Sequence, residues 1–328
     1  MDKETAVTTA EEPVNVEVQE ADSLAACRRD LDGLAGLTSQ LVTNACGQAQ
    51  INQRLTERLI ALEQRLLSAG NSRQHFAVYV GDHVALTWAL DRYKMYVDTR
   101  DKAISVHLLT EGGWESDITR LLASMVKHGM KVVDVGANMG YFSLLLADRI
   151  GPGGRLWAFE PDPRNFELLT WNLDVNGFTP WSKPYRVAAF DHRSRVRFWQ
   201  NPINFGGHSV LTEDSGEVAG TVIEVEAMPL DEVIASSVDI MKIDAEGSEP
   251  FIWDGMRQTL RRSLSLRILM EFDPAQIRGK GRDPQAFLER IHQDGFRVER
   301  ILHDASLRPA SDEELAQGSL VMLHLSRI

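Results

Sequence analysis

The feature that most constrains the fold is an alternation that begins at Lys131. Short runs of β-branched and apolar residues are followed by stretches with helical spacing. The pairs are KVVDVG with 141–150, RLWAFE with 163–175, YRVAAF alone, VDIMKID with 248–261, and LRILMEF with 284–294. This alternation is typical of a parallel sheet with helices on both faces. FRVERIL and SLVMLHL close the chain with no helical pattern between them, so at least one of these strands is expected to run antiparallel.

The N-terminal third has a different character. Residues 1–22 contribute −6 of the net charge of −12, and such a composition predicts a disordered acidic tail. A heptad laid over 23–69 has ten of thirteen a and d positions apolar. It predicts a coiled coil and a homo-oligomer, although a helix packed on its own domain stays open. Residues 73–130 are expected to form strands and a helix that pack on a ligand-binding domain, 131–328.

Composition also excludes several classes of protein. No apolar stretch reaches the roughly 18–20 residues that a transmembrane helix needs, and the first residues lack the profile of a secretory signal. The sequence therefore predicts a cytoplasmic protein with no transmembrane segment. Outside the tail the chain is mildly acidic, so we expect no nucleic-acid partner.

The end of the first strand of this alternation carries the first ligand signal, since ligands of open α/β sheets bind beyond the carboxyl ends of the strands. The segment Asp134–Tyr141, DVGANMGY, resembles a dinucleotide fingerprint, with Gly136 and Gly140 in the turn. Asn138 stands where that fingerprint has its second glycine, which lets the backbone approach a pyrophosphate. A ligand without a pyrophosphate is therefore favoured, and a dehydrogenase is disfavoured.

The next two strand ends add carboxylates. Glu160 lies 20 residues after Gly140, the position at which an acid accepts both ribose hydroxyls. Together with the turn it predicts an adenosine ligand without phosphates, unless Glu160 merely caps the helix after Pro163. Asp191 follows the third run, where it lies near the adenine or only forms a turn.

The most specific string is MKIDAEGSEP, with Asp244, Glu246 and Glu249 at the end of the fourth strand. Asp244 comes directly after a buried apolar strand and has no structural reason to be there, whereas Glu249 suits the start of a helix. The fifth strand brings Glu271 and Asp273 to the same edge of the sheet.

The strings DVGANMGYFS, FEPDP, WNLDVNGF and MKIDAEGSEPFIWDG together resemble the FkbM family of S-adenosylmethionine-dependent methyltransferases, over about 100–275. The resemblance implies a class I methyltransferase fold, a seven-stranded sheet whose last strand is antiparallel, and methylation of a hydroxyl on a sugar, lipid or polyketide. It places the glycine turn at the methionine part of the cofactor and Glu160 at the ribose. The cofactor residues expected on this basis are Asp134, Gly136, Asn138, Gly140, Tyr141, Glu160, Asp162 and Asp191.

Methyl transfer to an aliphatic alcohol needs help, because the alcohol is a poor nucleophile. The candidate bases are Asp244, Glu246 and His208, although a histidine in a loop is usually only a polar surface residue. A Mg²⁺ or Mn²⁺ ion bound by Asp244 with Glu271 or Asp273 is the alternative, and both remain open.

The acceptor is the least constrained element. Arg278, Lys280 and Arg282 follow the fifth strand, where a flexible basic loop could bind an anionic group, and Glu249 and Glu271 are further candidates for acceptor contacts. We expect a sugar or glycan acceptor, anionic or lipid-linked. A lipid or polyketide-type acceptor, or an inactive coiled-coil scaffold, are the alternatives.

Overall fold

The computed structural model describes residues 76–213, 215 and 220–328. The strands, in chain order, are β1 (Val78–Gly81), β2 (Val84–Ala89), β3 (Tyr93–Asp98), β4 (Lys131–Val135), β5 (Arg155–Phe159), β6 (Ser182–Tyr185), β7 (Ala188–Ala189), β8 (Ser194–Gln200), β9 (Ser209–Leu211), β10 (Thr221–Met228), β11 (Ile240–Ile243), β12 (Arg267–Phe272), β13 (Phe296–Ile301), β14 (Leu307–Pro309) and β15 (Val321–Arg327). The predicted acidic tail, 1–22, and the predicted coiled coil, 23–69, lie outside the described residues.

Nine α-helices connect these strands within the described part of the chain. They are α1 (Ile104–Glu111), α2 (Ser116–Met125), α3 (Tyr141–Ile150), α4 (Pro163–Val175), α5 (Glu249–Asp254), α6 (Arg257–Arg262), α7 (Pro274–Gly279), α8 (Pro284–Gln293) and α9 (Asp312–Gln317). The stretch 248–261, expected to be one helix, is two, because Gly255 and Met256 interrupt it. Helix α1, of only eight residues, was not expected, since so short a segment shows little periodicity.

A sheet of eight strands organises the described part, in the order β14-β13-β15-β12-β11-β4-β5-β6. Strands β5, β4, β11 and β12 pair in parallel, as the alternation predicted. The last strand, β15, runs antiparallel to both of its neighbours. The expected count of seven strands is wrong, because β14 adds an edge strand beside β13. Helix α9 also lies between the last two predicted strands, where no helical pattern was seen.

The run YRVAAF, expected to be one strand, divides between two sheets. Tyr185 ends β6 in the large sheet, whereas Ala188 and Ala189 pair with β10 in a second sheet of order β7-β10-β8-β9. Arg186 is exposed between the half-buried Tyr185 and the buried Ala188, at the point where the chain passes from one sheet to the other. Asp191 consequently follows a strand of the second sheet and lies away from the edge of the large one.

Strand alternation sends neighbouring residues of the large sheet to opposite faces. On β4, Val133 and Val135 pack into one apolar core, and Val132 packs into the other. Lys242 of β11 lies beside Asp134 of β4 in the strand register. Two charged residues thus meet on one buried face of the sheet.

The antiparallel sheet β1-β2-β3 is held against the C-terminal end of α4 by hydrogen bonds between asparagine side chains and the main chain of β3. The Asn172 side chain accepts from the main-chain N–H of Tyr96 at 2.6 Å and donates to its carbonyl at 2.9 Å. Asn176 repeats this pattern with Lys94, at 3.1 and 2.7 Å. Two paired asparagines fix this sheet beside the glycine turn.

Candidate active site

A cleft opens beyond the carboxyl ends of β4, β5 and β11. The space between its walls, with the open solvent at its mouth included, is about 860 Å³. Apolar and aromatic side chains form most of its wall. The polar and charged lining residues are Asn138, Tyr141, Glu160, His208, Lys242, Asp244 and Ser248.

The glycine turn between β4 and α3 lies directly against the end of β11. Gly136 and Gly140 adopt left-handed backbone angles, with φ of 74° and 95°. A Cβ atom on Gly136 would lie 1.8 Å from the main-chain oxygen of Asp244. No side chain fits in that space, so glycine at this position lets the turn and the acidic string meet.

Asn138 and Glu160 are joined by a direct hydrogen bond. The main-chain N–H of Asn138 donates to Oε2 of Glu160 at 2.8 Å, and that of Asp162 donates to Oε1 at 2.8 Å. Each oxygen of a carboxylate has two lone pairs, so each keeps one for a ligand hydroxyl. This geometry fits the predicted ribose contact better than a helix cap, since the cap of α4 is Asp162.

Glu160 is buried, and its surroundings disfavour the ionised carboxylate. Burial, and then the neighbouring charge of Asp162, raise its pKa to about 8. Donors such as ribose hydroxyls would favour the ionised form and offset that burial. The remaining cofactor candidate that lines the cleft is Tyr141, whose hydroxyl lies 3.2 Å from Oγ1 of Thr119.

Four predicted cofactor residues do not line the cleft, and the expectation of direct contact is corrected for them: Gly140, which forms the turn, and the acids Asp134, Asp162 and Asp191. Asp134 is fully buried and accepts a bond from the Ser143 hydroxyl at 2.6 Å. Asp162 caps α4 through two main-chain N–H groups. Asp191 lies 2.6 Å from Nδ1 of His192, on a segment that belongs to the second sheet. All three acids are near the motif in sequence, but each has a structural partner.

Lys242 is a site residue that the motif analysis missed. Its Nζ donates to Oδ2 of Asp244 at 2.7 Å and lies 4.6 Å from the centroid of the Phe142 ring. Burial lowers the pKa of Lys242, but the carboxylates of Asp244, Glu115 and Asp134 outweigh this and hold it above its ordinary value. A lysine inside the apolar strand IMKI was the available signal, because buried cations are paired.

The other acids of the string lie behind Asp244 and do not line the cleft. Oε2 of Glu246 accepts a bond from the Gln276 side chain at 2.6 Å, and Glu249 is fully buried. Burial and neighbouring carboxylates raise the pKa of Glu246 and of Glu249 to about 7, and hold that of Glu271 well above its ordinary value. Direct acceptor contact is therefore not supported for Glu246, Glu249 or Glu271.

Three of these acids could hold a cation. One carboxylate oxygen from each of Asp244, Glu246 and Glu271 lies within 4.8 Å of the other two. Only oxygen ligands are offered, which suits Mg²⁺, Mn²⁺ or Ca²⁺. Asp273 does not belong to this group, because it caps α7 by accepting from main-chain N–H groups. The predicted set is corrected accordingly, with Glu246 in place of Asp273.

His208 lines the cleft, but its ring has structural partners. Nδ1 accepts a bond from the main-chain N–H of Asn201 at 2.8 Å, and Nε2 lies 3.8 Å from Oδ2 of Asp162. Since Nδ1 is the acceptor, the neutral ring carries its proton on Nε2. Burial also lowers the pKa of His208. The ring therefore has no lone pair available for an acceptor hydroxyl.

The predicted basic loop is also corrected. Arg278 lies in α7 and donates to the carbonyl of Ala316, and Lys280 is buried, with Nζ 2.7 Å from the Ser209 hydroxyl. The Arg282 guanidinium stacks 4.2 Å from the centroid of the Phe251 ring. The cleft lining includes none of these three basic residues, so no anion-binding loop covers it.

A family model described as the methyltransferase FkbM domain matches residues 134–298. The chain belongs to the FkbM methyltransferase family. Membership confirms the resemblance seen in the motifs, and it supports S-adenosylmethionine as the methyl donor. The match begins at the glycine turn and ends in β13, so the segment that supplies Trp114 to the cleft lies outside it.

Local similarity to other methyltransferases is confined to short stretches. A protein-L-isoaspartate O-methyltransferase from Aeropyrum pernix is 48% identical over 50 residues, which are 15% of this chain and 19% of that protein. A protein of the same description from Methanothrix thermoacetophila is 35% identical over 49 residues, 15% of this chain and 23% of that protein. The FkbM chain thus spans about a fifth of the length of these curated relatives.

Solved structures to which this chain is similar include a methyltransferase FkbM from Methylobacillus flagellatus. It is 19% identical, covers 60% of this chain and 43% of its own, and has a TM-score of 0.37. A precorrin-6y C5,15-methyltransferase from Geobacter metallireducens is 14% identical, covers 65% of this chain and 89% of its own, and has a TM-score of 0.37. Among the described helices of this FkbM protein, none is long and apolar enough to cross a membrane.

Proposed function

We propose that the protein transfers the methyl group of S-adenosylmethionine to a hydroxyl of an uncharged sugar or glycan. The observation that carries this is the position of Asp244, which is bound by Lys242 and lies against Gly136 of the cofactor turn. A hydroxyl bound at Asp244 is therefore beside the end of the cleft where the methyl donor is expected. An anionic acceptor is no longer favoured, since the cleft contains carboxylates and no free basic loop.

When bound, S-adenosylmethionine supplies a methyl group on a positively charged sulfur. The residues of this chain do the rest: Gly136, Asn138 and Glu160 hold the cofactor, and Asp244 accepts the hydroxyl proton. Lys242 fixes one oxygen of Asp244 and leaves the other to receive that proton. The bound donor would exchange its C–S bond for the new C–O bond, and Asp244 would keep the hydroxyl proton.

The direct test uses the full chain with methyl-labelled S-adenosylmethionine and a panel of neutral methyl glycosides. We expect label in a glycoside, and Asp244→Asn should lower the rate by roughly 10²–10⁴-fold, as for a lost general base. Label in a lipid or polyketide alcohol but in no glycoside would reassign the acceptor. Label in no acceptor, with no thermal stabilisation by S-adenosylhomocysteine, would favour an inactive scaffold.

A divalent ion is the second candidate for activating the hydroxyl. It is favoured by the three oxygens of Asp244, Glu246 and Glu271, which are spaced as ligands of one ion can be. Titration with Mn²⁺ followed by electron paramagnetic resonance tests it directly. Stoichiometric binding that is lost in Glu271→Gln would support the ion, whereas no bound Mn²⁺, with activity unchanged by a chelator, would eliminate it.

We also propose that residues 23–69 assemble the protein as a homo-oligomer, on the strength of the heptad alone. Light scattering of the full chain should give at least twice the mass of one chain. A variant that lacks 1–70 should be monomeric and should bind S-adenosylhomocysteine as tightly as the full chain. A monomeric full-length protein would contradict this assembly.

A further inference from the structure

Trp114, in the loop between α1 and α2, is an aromatic residue that lines the cleft and has no part in the proposed mechanism. It comes from a segment that precedes the family match, 134–298. Gly112, which ends α1 in a left-handed conformation, accepts a bond from the main-chain N–H of Leu90 at 2.6 Å. The carbonyl of Trp114 itself accepts a bond from the Thr119 hydroxyl at 2.9 Å. The loop is therefore anchored on both sides of the indole ring.

A series of direct contacts connects Trp114 to the ammonium group that bonds the proposed base. The Thr119 hydroxyl also lies 3.2 Å from the hydroxyl of Tyr141. The ring centroid of Phe142, the next residue, lies 5.1 Å from that of Tyr141 and 4.6 Å from Nζ of Lys242. All of these residues except Thr119 line the cleft. The indole ring and the proposed base thus belong to one connected wall of the cleft.

The indole ring of Trp114 is accessible to a ligand. Trp114 is half-buried, with its ring centroid 5.0 Å from that of His107. Its N–H makes no hydrogen bond with any described residue, and the nitrogen is open to solvent. The indole N–H groups of Trp181 and Trp253, in contrast, each donate at 2.8 Å to an oxygen of the protein. Because a buried tryptophan N–H usually has a partner, the N–H of Trp114 is free to donate to an oxygen of a ligand.

We propose that Trp114 is a specificity-determining residue, which binds the acceptor by packing against the C–H face of its sugar ring and so selects cyclic sugars over open-chain polyols. This rests on the proposed function, which places the reacting hydroxyl of a sugar at Asp244. A sugar ring offers apolar C–H groups on one face and oxygens around its edge, which suit the indole face and the indole N–H. An open-chain polyol carries hydroxyls but has no such face.

The test compares the best-methylated glycoside of the panel with the corresponding alditol, an open chain that carries the hydroxyls of the sugar but no ring. Wild type should favour the glycoside by about 10- to 100-fold in kcat/KM. In Trp114→Ala this preference should fall to within about threefold, mainly through a higher KM for the glycoside, because packing on the ring is similar in the ground and transition states. Trp114→Phe, which keeps an aromatic face, should keep most of the preference.

Tryptophan fluorescence gives a readout that does not depend on turnover. In wild type with S-adenosylhomocysteine bound, the glycoside should cause a saturable change in emission, and Trp114→Phe should lose this change. Trp88→Phe, at an exposed tryptophan of β2 that does not line the cleft, is the matched control. It should keep both the change in emission and the preference for the ring. The affinity for S-adenosylhomocysteine should stay within about twofold of wild type in all three variants.

Three outcomes overturn the inference and leave the proposed function intact. One is a wild-type protein that methylates the glycoside and the alditol equally well, and another is a preference as strong in Trp114→Ala as in wild type. The third is loss of S-adenosylhomocysteine binding, or a lower melting temperature, in both Trp114→Ala and Trp114→Phe, as a purely structural role requires. Failure of wild type to methylate any glycoside would instead refute the proposed function, and this inference with it.

Discussion

The two halves of the cleft are built in different ways. The cofactor half comes from one continuous unit, β4, the glycine turn and β5, and it is shaped by backbone conformation. The proposed acceptor half is assembled from distant segments, Trp114 and the end of β11, where the buried Lys242 pairs with the partly exposed Asp244. Local conformation is specified by a few residues and is visible in a sequence, whereas an arrangement of buried charges depends on long-range packing.

The largest effect is expected where the two halves touch. Gly136→Ala places a Cβ atom 1.8 Å from the Asp244 carbonyl, so the turn or the end of β11 must move. We expect loss of cofactor binding and a decrease in unfolding free energy of about 4 kcal/mol or more, measured by calorimetry and urea unfolding.

Gly177→Ala is the matched control for that substitution. Its φ of 75° is nearly that of Gly136, but nothing lies within 4 Å of the added Cβ. It should lose only about 1–2 kcal/mol, the cost of a left-handed alanine. Equal decreases in unfolding free energy in Gly136→Ala and Gly177→Ala would show that the close contact between the two halves of the cleft does not affect stability.

The next largest effect on the unfolding free energy is expected at the buried ammonium group of Lys242. Lys242→Met removes the only positive charge bonded to Asp244 among the described residues. Breaking a buried pair by removing one partner costs about 3–5 kcal/mol, measured as the decrease in unfolding free energy. Lys183→Met, at an exposed lysine, should have almost no effect. Addition of Asp244→Asn to Lys242→Met should restore part of the lost unfolding free energy. If the losses of the two single variants simply add in the double variant, Lys242 and Asp244 do not stabilise the protein as a pair.

The raised pKa values of the buried carboxyls should make the unfolding free energy depend on pH. Glu115, Glu246 and Glu249 have pKa values raised from 4.5 to about 7, and that of Glu160 is raised to about 8. At pH values between the unfolded and the folded pKa of these carboxyls, the folded chain holds more protons than the unfolded chain. The unfolding free energy therefore falls as the pH rises through this range. Below the pKa that these carboxyls have in the unfolded chain, their contribution to the unfolding free energy is complete. That contribution is lost as the pH rises through about 7–8.

Urea unfolding of the ligand-free protein at several pH values measures this directly. The slope of the unfolding free energy against pH should be smaller in Glu249→Gln than in wild type. It should be unchanged in Glu289→Gln, where the acid is exposed. Asp98 gives the opposite contribution, because hydrogen bonds from Arg100 and Arg164 overcome burial and lower its pKa. A ligand-free protein that gains stability from mildly acidic to alkaline pH would contradict the assigned directions.

The sequence predicted where the glycine turn and Glu160 of the proposed cofactor half lie, for a physical reason. A glycine turn after a buried strand and an acid 20 residues later are local patterns, and Gly136, Asn138, Gly140 and Glu160 all face the cleft or form its turn. Asp162 and Asp191 were assigned to the cofactor because they lie near motifs in the sequence. In the structure Asp162 caps α4, and Asp191 follows a strand of the second sheet.

The acceptor half was harder to predict, because its chemistry depends on which distant side chains meet. Lys242 stood inside a quoted motif, yet only the strand register shows that it lies beside Asp134. The basic segment looked like a free loop, but packing turns Lys280 inward.

The central claim is that one half of the cleft binds the cofactor and the other half performs the chemistry. It is tested most directly by measuring S-adenosylhomocysteine affinity by calorimetry in Glu160→Ala and in Asp244→Asn, alongside methyl transfer. Glu160→Ala should weaken binding by about 10- to 150-fold, because roughly 1.5–3 kcal/mol of charge-assisted hydrogen bonding is lost. Asp244→Asn should bind within about twofold of wild type and yet transfer methyl groups at least about 100-fold more slowly. Equal losses of affinity in the two variants, or unchanged affinity in a folded Glu160→Ala, would contradict the account.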